Sequence, residues 1–363
     1  MCFRTLAWIV IAGLLTMASQ ARAQPETASP SVATVEAPRR PLAAQGWPVA
    51  AALVPGVLLH GSGHFVAGER RTAYRLLAME GAGALGMVGG LVWLWTTGAA
   101  KQTVGPAIGL TVAGGALLTS SLFGDLYGLF AVAGGTGQAP VRAPRLQASA
   151  GLLLVHDPVF SYTAFSHLDL ILGWRWLRLG LASDIGLDES NQRFHAPLAV
   201  RFLSGRPGQF LELELAATHH RFGPQGFAFT YGEIVVAGRI GLEVVGPTLA
   251  GAFLDGGLGL ALGAIHYHGL ATEQDEMLLA RFGMGLYFGH DPAGSGEARL
   301  YYDHRHDGFA GGLKMPGLGS GTMGHLGVQV LRFFGPRWGA RLDAQAGSAY
   351  LAMLAVVLRE VAP

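Results

Sequence analysis

FLELELAATH, residues 210–219, alternates without a break: Leu211, Leu213 and Leu215 fall on one side, Glu212, Glu214 and Ala216 on the other. Successive side chains of a strand point to opposite faces, so a period of two specifies a β-strand with one apolar and one polar face. The pattern returns in LRLGLASD (177–184), where Leu177, Leu179 and Leu181 oppose Arg178, Gly180 and Ala182. In RFGMGLYFG (281–289), Phe282, Met284, Leu286 and Phe288 oppose glycines and Tyr287; in WGARLDAQAG (338–347), Trp338, Ala340 and Leu342 oppose Arg341, Asp343 and Gln345. Alternating segments of about ten residues, split by turns such as RPGQ, GPQG, HDPAGSG and FGPRWG, are the pattern of a transmembrane β-barrel.

Strand candidates fall near 145–156, 165–175, 177–186, 194–204, 209–221, 226–236, 237–246, 248–258, 259–270, 277–289, 296–306, 322–334, 337–347 and 349–360. The glycine-rich runs across 226–270 read as either two strands or more, so about 12 strands are expected, with 10 and 14 open under the even-number rule of bacterial barrels. Trp174, Trp176, Phe288, Phe333, Phe334 and Trp338 stand near strand ends, where a membrane-interface girdle requires aromatic side chains.

Upstream the grammar is different. RLLAMEGAGALGMVGGLVWLWTTGAA (75–100) and VGPAIGLTVAGGALLTSSLFGDLYGLFAVAGG (104–135) are continuous apolar runs separated by Lys101-Gln102-Thr103. Each exceeds the roughly 20 residues that a helix needs to cross a bilayer, which gives a helical hairpin within 47–135. The pairs Gly86/Gly90 and Gly105/Gly109 have the spacing that lets helix backbones approach closely in lipid. Glu80 and Asp125 lie inside the spans and are expected to face protein or water. Residues 1–23 have the Arg4 n-region, apolar core and Ala21-Arg22-Ala23 site of a secretory signal peptide, followed by a Pro/Ala/Ser/Thr-rich linker over 24–46.

Composition agrees with a membrane protein. Charged residues make up only 13% against roughly 25% in ordinary soluble domains, and hydrophobic residues 50%. A net charge of +1 gives no electrostatic footprint for nucleic acid. The single cysteine, Cys2, lies in the signal segment, which excludes disulfide and thiol chemistry from residues 24–363. No GxSxG, Walker loop, strand-following GxGxxG or CxxC occurs, and no cofactor is expected. The expected fold is thus an α+β membrane protein: an antiparallel transmembrane β-barrel over 145–361 preceded by a Gly-rich helical hairpin.

Two histidine-bearing stretches carry whatever chemistry the sequence offers. In YYDHRHDGFAGG (301–312), Asp303, His304, Arg305, His306 and Asp307 follow one another at a strand end. His304 and His306 share a face with imidazoles about 7 Å apart, a spacing open to metal binding, and the flanking carboxylates suit general acid/base work. A water-satisfied polar strand end is the plainer alternative. In VPGVLLHGSGHFVAGERR (54–71), His60 and His64 are four apart and could bind a metal from one helical face. Gly61, Gly63 and Gly68 disfavour a stable helix there and suit a membrane-interface turn, with the histidines at headgroup depth beside Phe65.

By this pattern the chain resembles proteobacterial outer-membrane β-barrel proteins with an N-terminal Gly-rich helical hairpin. Pro55, Gly56, Gly63, Phe65 and Gly68 resemble a Pro-Gly-x(n)-Gly-x-Phe-x-x-Gly element that opens helical hairpins in small bacterial membrane proteins. The resemblances imply a Gram-negative outer-membrane location and contact with the bilayer, with lipopolysaccharide or a small ligand as further partners. They imply a structural, narrow-pore or small-ligand-binding role without evident catalysis. A third resemblance is to lipid A deacylases, whose His-x-Ser-Asn motif would place the histidine at His304, with His306 and Asp307 at the serine and asparagine positions. It implies a lipid hydrolase as the enzymatic alternative. A periplasmic β-domain anchored in the inner membrane is the other alternative.

Overall fold

The computed structural model describes residues 46–98, 100–130, 137, 139, 144–158, 163–187, 190–223, 226–289, 295–305, 307–315, 319–320 and 323–361. The expected signal peptide and all of the linker except Gly46 lie outside these residues.

The strands are β1 (Pro144–His156), β2 (Ala164–Gly173), β3 (Leu177–Gly186), β4 (Gln192–Ser204), β5 (Phe210–Phe222), β6 (Phe227–Gly241), β7 (Ala252–Tyr267), β8 (Glu273–Phe288) and β9 (Gly296–Asp303). They continue as β10 (Lys314–Met315), β11 (Gly319–Ser320), β12 (His325–Phe333), β13 (Trp338–Ala346) and β14 (Tyr350–Val361). Twelve of them close into one antiparallel barrel in the order β1-β14-β13-β12-β9-β8-β7-β6-β5-β4-β3-β2, while β10 and β11 pair only with each other. Closure satisfies every edge, which an open sheet in lipid could not do.

The alternation turns inside out, as a membrane demands. Leu152, Leu168, Leu181, Leu215, Leu262, Leu342 and Leu354 are exposed on the outer wall, and Glu212, Glu214, Glu233, Asp184 and Asp343 are buried in the lumen. The first segment quoted above therefore presents its leucines to acyl chains and its glutamates to the interior. Leu354→Arg in this belt is expected to cost about 2–4 kcal/mol of folding free energy, read from urea titrations of folding into lipid vesicles.

Twelve strands rather than fourteen close the wall because 226–246 and 248–270 each hold one long strand, not two. The glycines that look like turns there clear lumenal space. A Cβ on Gly257 would meet the Arg281 side chain at 2.9 Å, and on the neighbouring β8 one on Gly283 would meet Arg299 at 2.4 Å and Asp255 at 2.5 Å. Glycine opposite arginine lets a guanidinium lie against the wall.

Both chain ends of the barrel lie on one rim, and the longest connection, 304–324, lies on the other. Outer-membrane barrels put short turns on the periplasmic side, so the termini rim is periplasmic and 304–324 is extracellular. Trp174, Trp176, Phe334 and Trp338 are exposed at the periplasmic rim as a girdle. Phe333 is instead buried, with the Arg359 guanidinium 3.5 Å from its ring centroid.

Ahead of the barrel come α1 (Trp47–Leu53), α2 (Ser62–Val66), α3 (Arg70–Thr96) and α4 (Lys101–Phe130). Helices α3 and α4 are long and apolar enough to cross a membrane. They form the expected hairpin, and it stands beside the barrel. Leu76 and Tyr127 pack with Leu242, Leu249 and Ala252, against which Leu254 and Leu286 also lie. Gly109 approaches Leu258 on the outer face of β7. Arg75 donates to the carbonyls of Val244 and Val245 at 3.0 and 2.9 Å, and the Tyr127 hydroxyl donates to Ala250 O at 2.7 Å. The β6–β7 turn is thus the bracket that holds the hairpin to the wall.

Of the glycine pairs singled out, Gly86 and Gly90 do face α4: Gly86 lies against Gly114 and Gly90 against Ala107 and Thr111. Gly105 touches nothing, and Gly109 serves the barrel contact rather than the helix pair.

Candidate functional site: the lumen and its inserted loop

The polar faces of the strands bring chains of alternating charge into the barrel. Near the periplasmic rim Arg239 binds Asp255 at 2.9 Å and Glu297 at 2.8 Å, and Arg299 binds Asp255 at 2.7 Å. Midway, Arg178 donates to Glu212 at 2.5 Å and to Glu214 at 3.3 Å, Arg201 to Glu212 at 3.5 Å, and Arg281 to Glu214 at 3.3 Å. On the opposite wall Asp343 accepts from the Tyr301 hydroxyl at 2.8 Å and from Gln329 at 3.0 Å. His167 Nδ1 bonds Asp184 Oδ1 at 2.7 Å. All of these groups except Arg201 and Glu297 border a cavity of about 450 Å³ that also meets Arg193, His195, Arg305, His325 and Arg341.

The extracellular half is different in kind. Leu153, Val155, Phe165, Phe222, Phe229, Met277, Leu351 and Met353 form one buried apolar cluster, completed by Phe309 and Ala310 from the β9–β12 connection. The Phe309 ring lies 4.5 Å from that of Phe165 and 4.7 Å from that of His220, centroid to centroid. Just before it in sequence, Arg305 reaches Glu233 through both of its terminal nitrogens and Asp307 at 3.1 Å. Glu233 also accepts from the Thr218 hydroxyl. Burial opposes charge on Arg305, but the carboxylates of Asp307 and Glu233 outweigh it and raise its pKa above the ordinary arginine value. The connection therefore folds back into the lumen, tied by an ionic clasp and capped by an aromatic wedge.

A closed antiparallel wall, leucine outside and ion pairs inside, fits only a bilayer. The protein is an outer-membrane β-barrel. Its exposed leucine belt contacts lipid. No family model matches the sequence, and no curated protein matches it. Among solved structures it is similar to the translocator domain of the autotransporter NalP from Neisseria meningitidis, at 12% identity and TM-score 0.38 over 60% of this chain and 89% of that one. It is similar as well to an outer-membrane channel from Pseudomonas putida F1, at 12% identity and TM-score 0.36 over 62% of this chain and 97% of that one. The outer-membrane protein Omp33 of Acinetobacter baumannii gives 8% identity and TM-score 0.32 over 61% and 100%.

The residues singled out from sequence are distributed as follows. Asp303 ends β9 on the lumenal face and accepts from the Arg305 backbone N–H at 3.0 Å. His304 is buried and its Nδ1 bonds the Tyr302 hydroxyl at 2.7 Å. Asp307 belongs to the Arg305 clasp, and His306 lies outside the described residues. The other His-bearing strand ends, at 219–220 and 266–268, share the extracellular rim with His304. Their side chains divide, His219 being outside and bonded to Thr230 while His220 is buried against Asn191 at 2.9 Å. Among the described residues, no group of three or more His, Cys, Asp or Glu side chains is arranged to hold a metal ion.

His60 and His64 are both buried in the hairpin, with Thr248 of the β6–β7 turn 3.5 Å from His64 Nε2. His60 Nδ1 bonds Ser121 Oγ at 2.5 Å and His64 Nδ1 bonds Asp125 Oδ1 at 2.8 Å. Ser121 and Asp125 are themselves four apart on α4, so both histidines meet one face of that helix. Gly128 makes room for this, since a Cβ there would stand 2.4 Å from His64 Nε2. The His60 backbone N–H donates to Glu80 at 2.8 Å, and Thr248 of the β6–β7 turn donates to Glu69 at 3.0 Å. Glu80 and Asp125 thus face protein, as their place in apolar spans required. Ser62 is a turn serine that donates to Ala51 and Leu59 carbonyls, both at 2.9 Å.

The groups that shape the lumen, Arg178, Arg281, Arg305 and Phe309, did not stand out in sequence. An available signal was arginine at inward-facing strand positions near Glu212 and Glu214, which alternation already placed on the polar face.

Proposed function

We propose that this barrel is a narrow pore with a small-solute cavity, closed on its extracellular side by the part of the β9–β12 connection that carries Arg305, Phe309 and Ala310. The observation that carries the reading is the insertion of Arg305 and Phe309 into the lumen, which leaves a cavity of about 450 Å³ lined by both charged and apolar side chains. A barrel filled for structure alone has no need of a charged cavity beneath a loop held by one clasp. The extracellular half of the apolar belt faces the outer leaflet, whose lipopolysaccharide is its lipid partner in this reading.

The loop can be locked. A Cβ on Gly311 would stand 3.6 Å from Ser348 Cβ, within the separation of about 3.5–4.5 Å that a disulfide spans. Residues 24–363 hold no other cysteine to interfere. Gly311→Cys with Ser348→Cys is expected to hold the pore shut when oxidised and to restore wild-type conductance steps in planar bilayers on reduction. Equal conductance in both redox states would overturn the loop as the gate.

A further inference from the structure

The mid-lumen charges are arranged asymmetrically. Three guanidiniums, those of Arg178, Arg201 and Arg281, share two carboxylates, those of Glu212 and Glu214. The glutamates are sunk in the wall at 2% and 8% side-chain exposure, while Arg178 and Arg281 remain open at 38% and 34%. Arg178 on β3 and Arg281 on β8 come from nearly opposite sides of the ring, yet both reach Glu214 Oε2 at 3.3 Å. The two cations therefore converge from different walls on one carboxylate oxygen. Arg178 uses only Nη2 in these bonds, whereas Arg281 engages Glu214 through both terminal nitrogens, at 3.4 and 3.3 Å, each of which carries a second N–H. A guanidinium has five N–H donors in a planar fork that matches the two oxygens of a carboxylate or phosphate. Asp303, the register neighbour of Arg281, is engaged with the Arg305 backbone.

We infer that the Arg178–Arg281 pair is an anion-recognition site, and that the cavity takes small solutes bearing a carboxylate or phosphate group. The inference rests on the pore reading for how the solute arrives, but binding itself does not require conduction. An oxyanion lying across the two guanidiniums takes up donors left over from the glutamates and balances the third positive charge of the network. The buried carboxylates fix the arginine forks in advance, so little side-chain freedom is lost on binding.

The test uses the refolded full chain in detergent, titrated calorimetrically with succinate, with inorganic phosphate and with choline as a cation of similar size. The same chain in planar bilayers under a KCl gradient gives the reversal potential. Succinate or phosphate is expected to bind saturably, choline not at all, and Arg178→Gln with Arg281→Gln to weaken anion binding at least tenfold. Heat-modifiable gel migration verifies that the variant is folded, and Arg178→Lys with Arg281→Lys, which keeps the charge but not the fork, is expected to fall between. If conductance is present but cation-preferring and no anion binds, the anion site is overturned while the pore stands. If anions bind and no conductance is seen in either the wild type or a loop-released variant, the pore is overturned and the site stands. Equal binding by the wild type and the folded double Gln variant would also overturn the site.

Discussion

Arg305→Ala is expected to open the pore, raising single-channel conductance severalfold. The substitution leaves the Glu233 and Asp307 carboxylates, at 2% and 3% side-chain exposure, without their shared cation. Removing one member of a buried ion pair costs about 3–5 kcal/mol, because the remaining charge stays desolvated. That penalty vanishes if the connection swings out and the lumen floods, so the strain acts on the loop rather than on the wall. What still holds the loop is Phe309 in its aromatic seat and the hydrogen bond from the Ala349 N–H to Ala310 O at 3.1 Å. Burying one aromatic ring is worth a comparable few kcal/mol, so release is expected to be frequent rather than complete, seen as flickering between two current levels. Phe309→Ala removes the wedge, and the double variant is expected to stay open. Arg305→Lys keeps a charge but loses the two-pronged grip on Glu233, which places it between. An unchanged conductance from a folded Arg305→Ala barrel would sink the clasp.

The second large effect is expected at Gly114→Leu. A Cβ there would stand 2.1 Å from Met87 N and 2.6 Å from Gly86 C, both backbone atoms that no rotamer change can move. Gly83 faces the same contact, with Leu118 N at 2.5 Å from its own would-be Cβ. The helices must separate, at a cost at or above the roughly 1–3 kcal/mol of ordinary overpacking. Because the hairpin stands outside a wall that closes without it, the barrel is expected to survive. Trypsin should then cut at Arg70, Arg71, Arg75 or Lys101 while heat-modifiable migration is retained. Loss of the barrel together with the hairpin would show that the β6–β7 bracket carries stability inward, against this expectation.

Much of this molecule was legible along the chain. The alternation in 177–184, 210–219, 281–289 and 338–347 assigned each residue to one of two faces, and the structure keeps all four segments as strands with those faces. The long apolar runs supply most of α3 (Arg70–Thr96) and α4 (Lys101–Phe130), and the carboxylates within them turned toward protein. The wall has the expected 12 strands; the division within 226–270 stayed open along the chain because glycine there has two meanings: a bend in the backbone or an absent side chain. Gly257 has the second meaning, since the Arg281 side chain from the neighbouring strand occupies its space. A window of sequence cannot see a neighbour that arrives from another strand.

The site was less legible, and for the same reason. His60 and His64 looked like a surface turn because their partners stand 61 positions away, at Ser121 and Asp125. Arg305 and Glu233 are 72 positions apart, and Arg178 and Glu214 are 36 apart. Local periodicity determined that there would be strands, that they would have an apolar and a charged face, and that two helices would precede them. Those are properties of side-chain order along one segment, which solvent and lipid read directly. Which charges meet, where the loop inserts and which guanidiniums stay open depend on how twelve strands close and in what register. That closure converts distance along the chain into proximity across a lumen, and only the tertiary structure decides it.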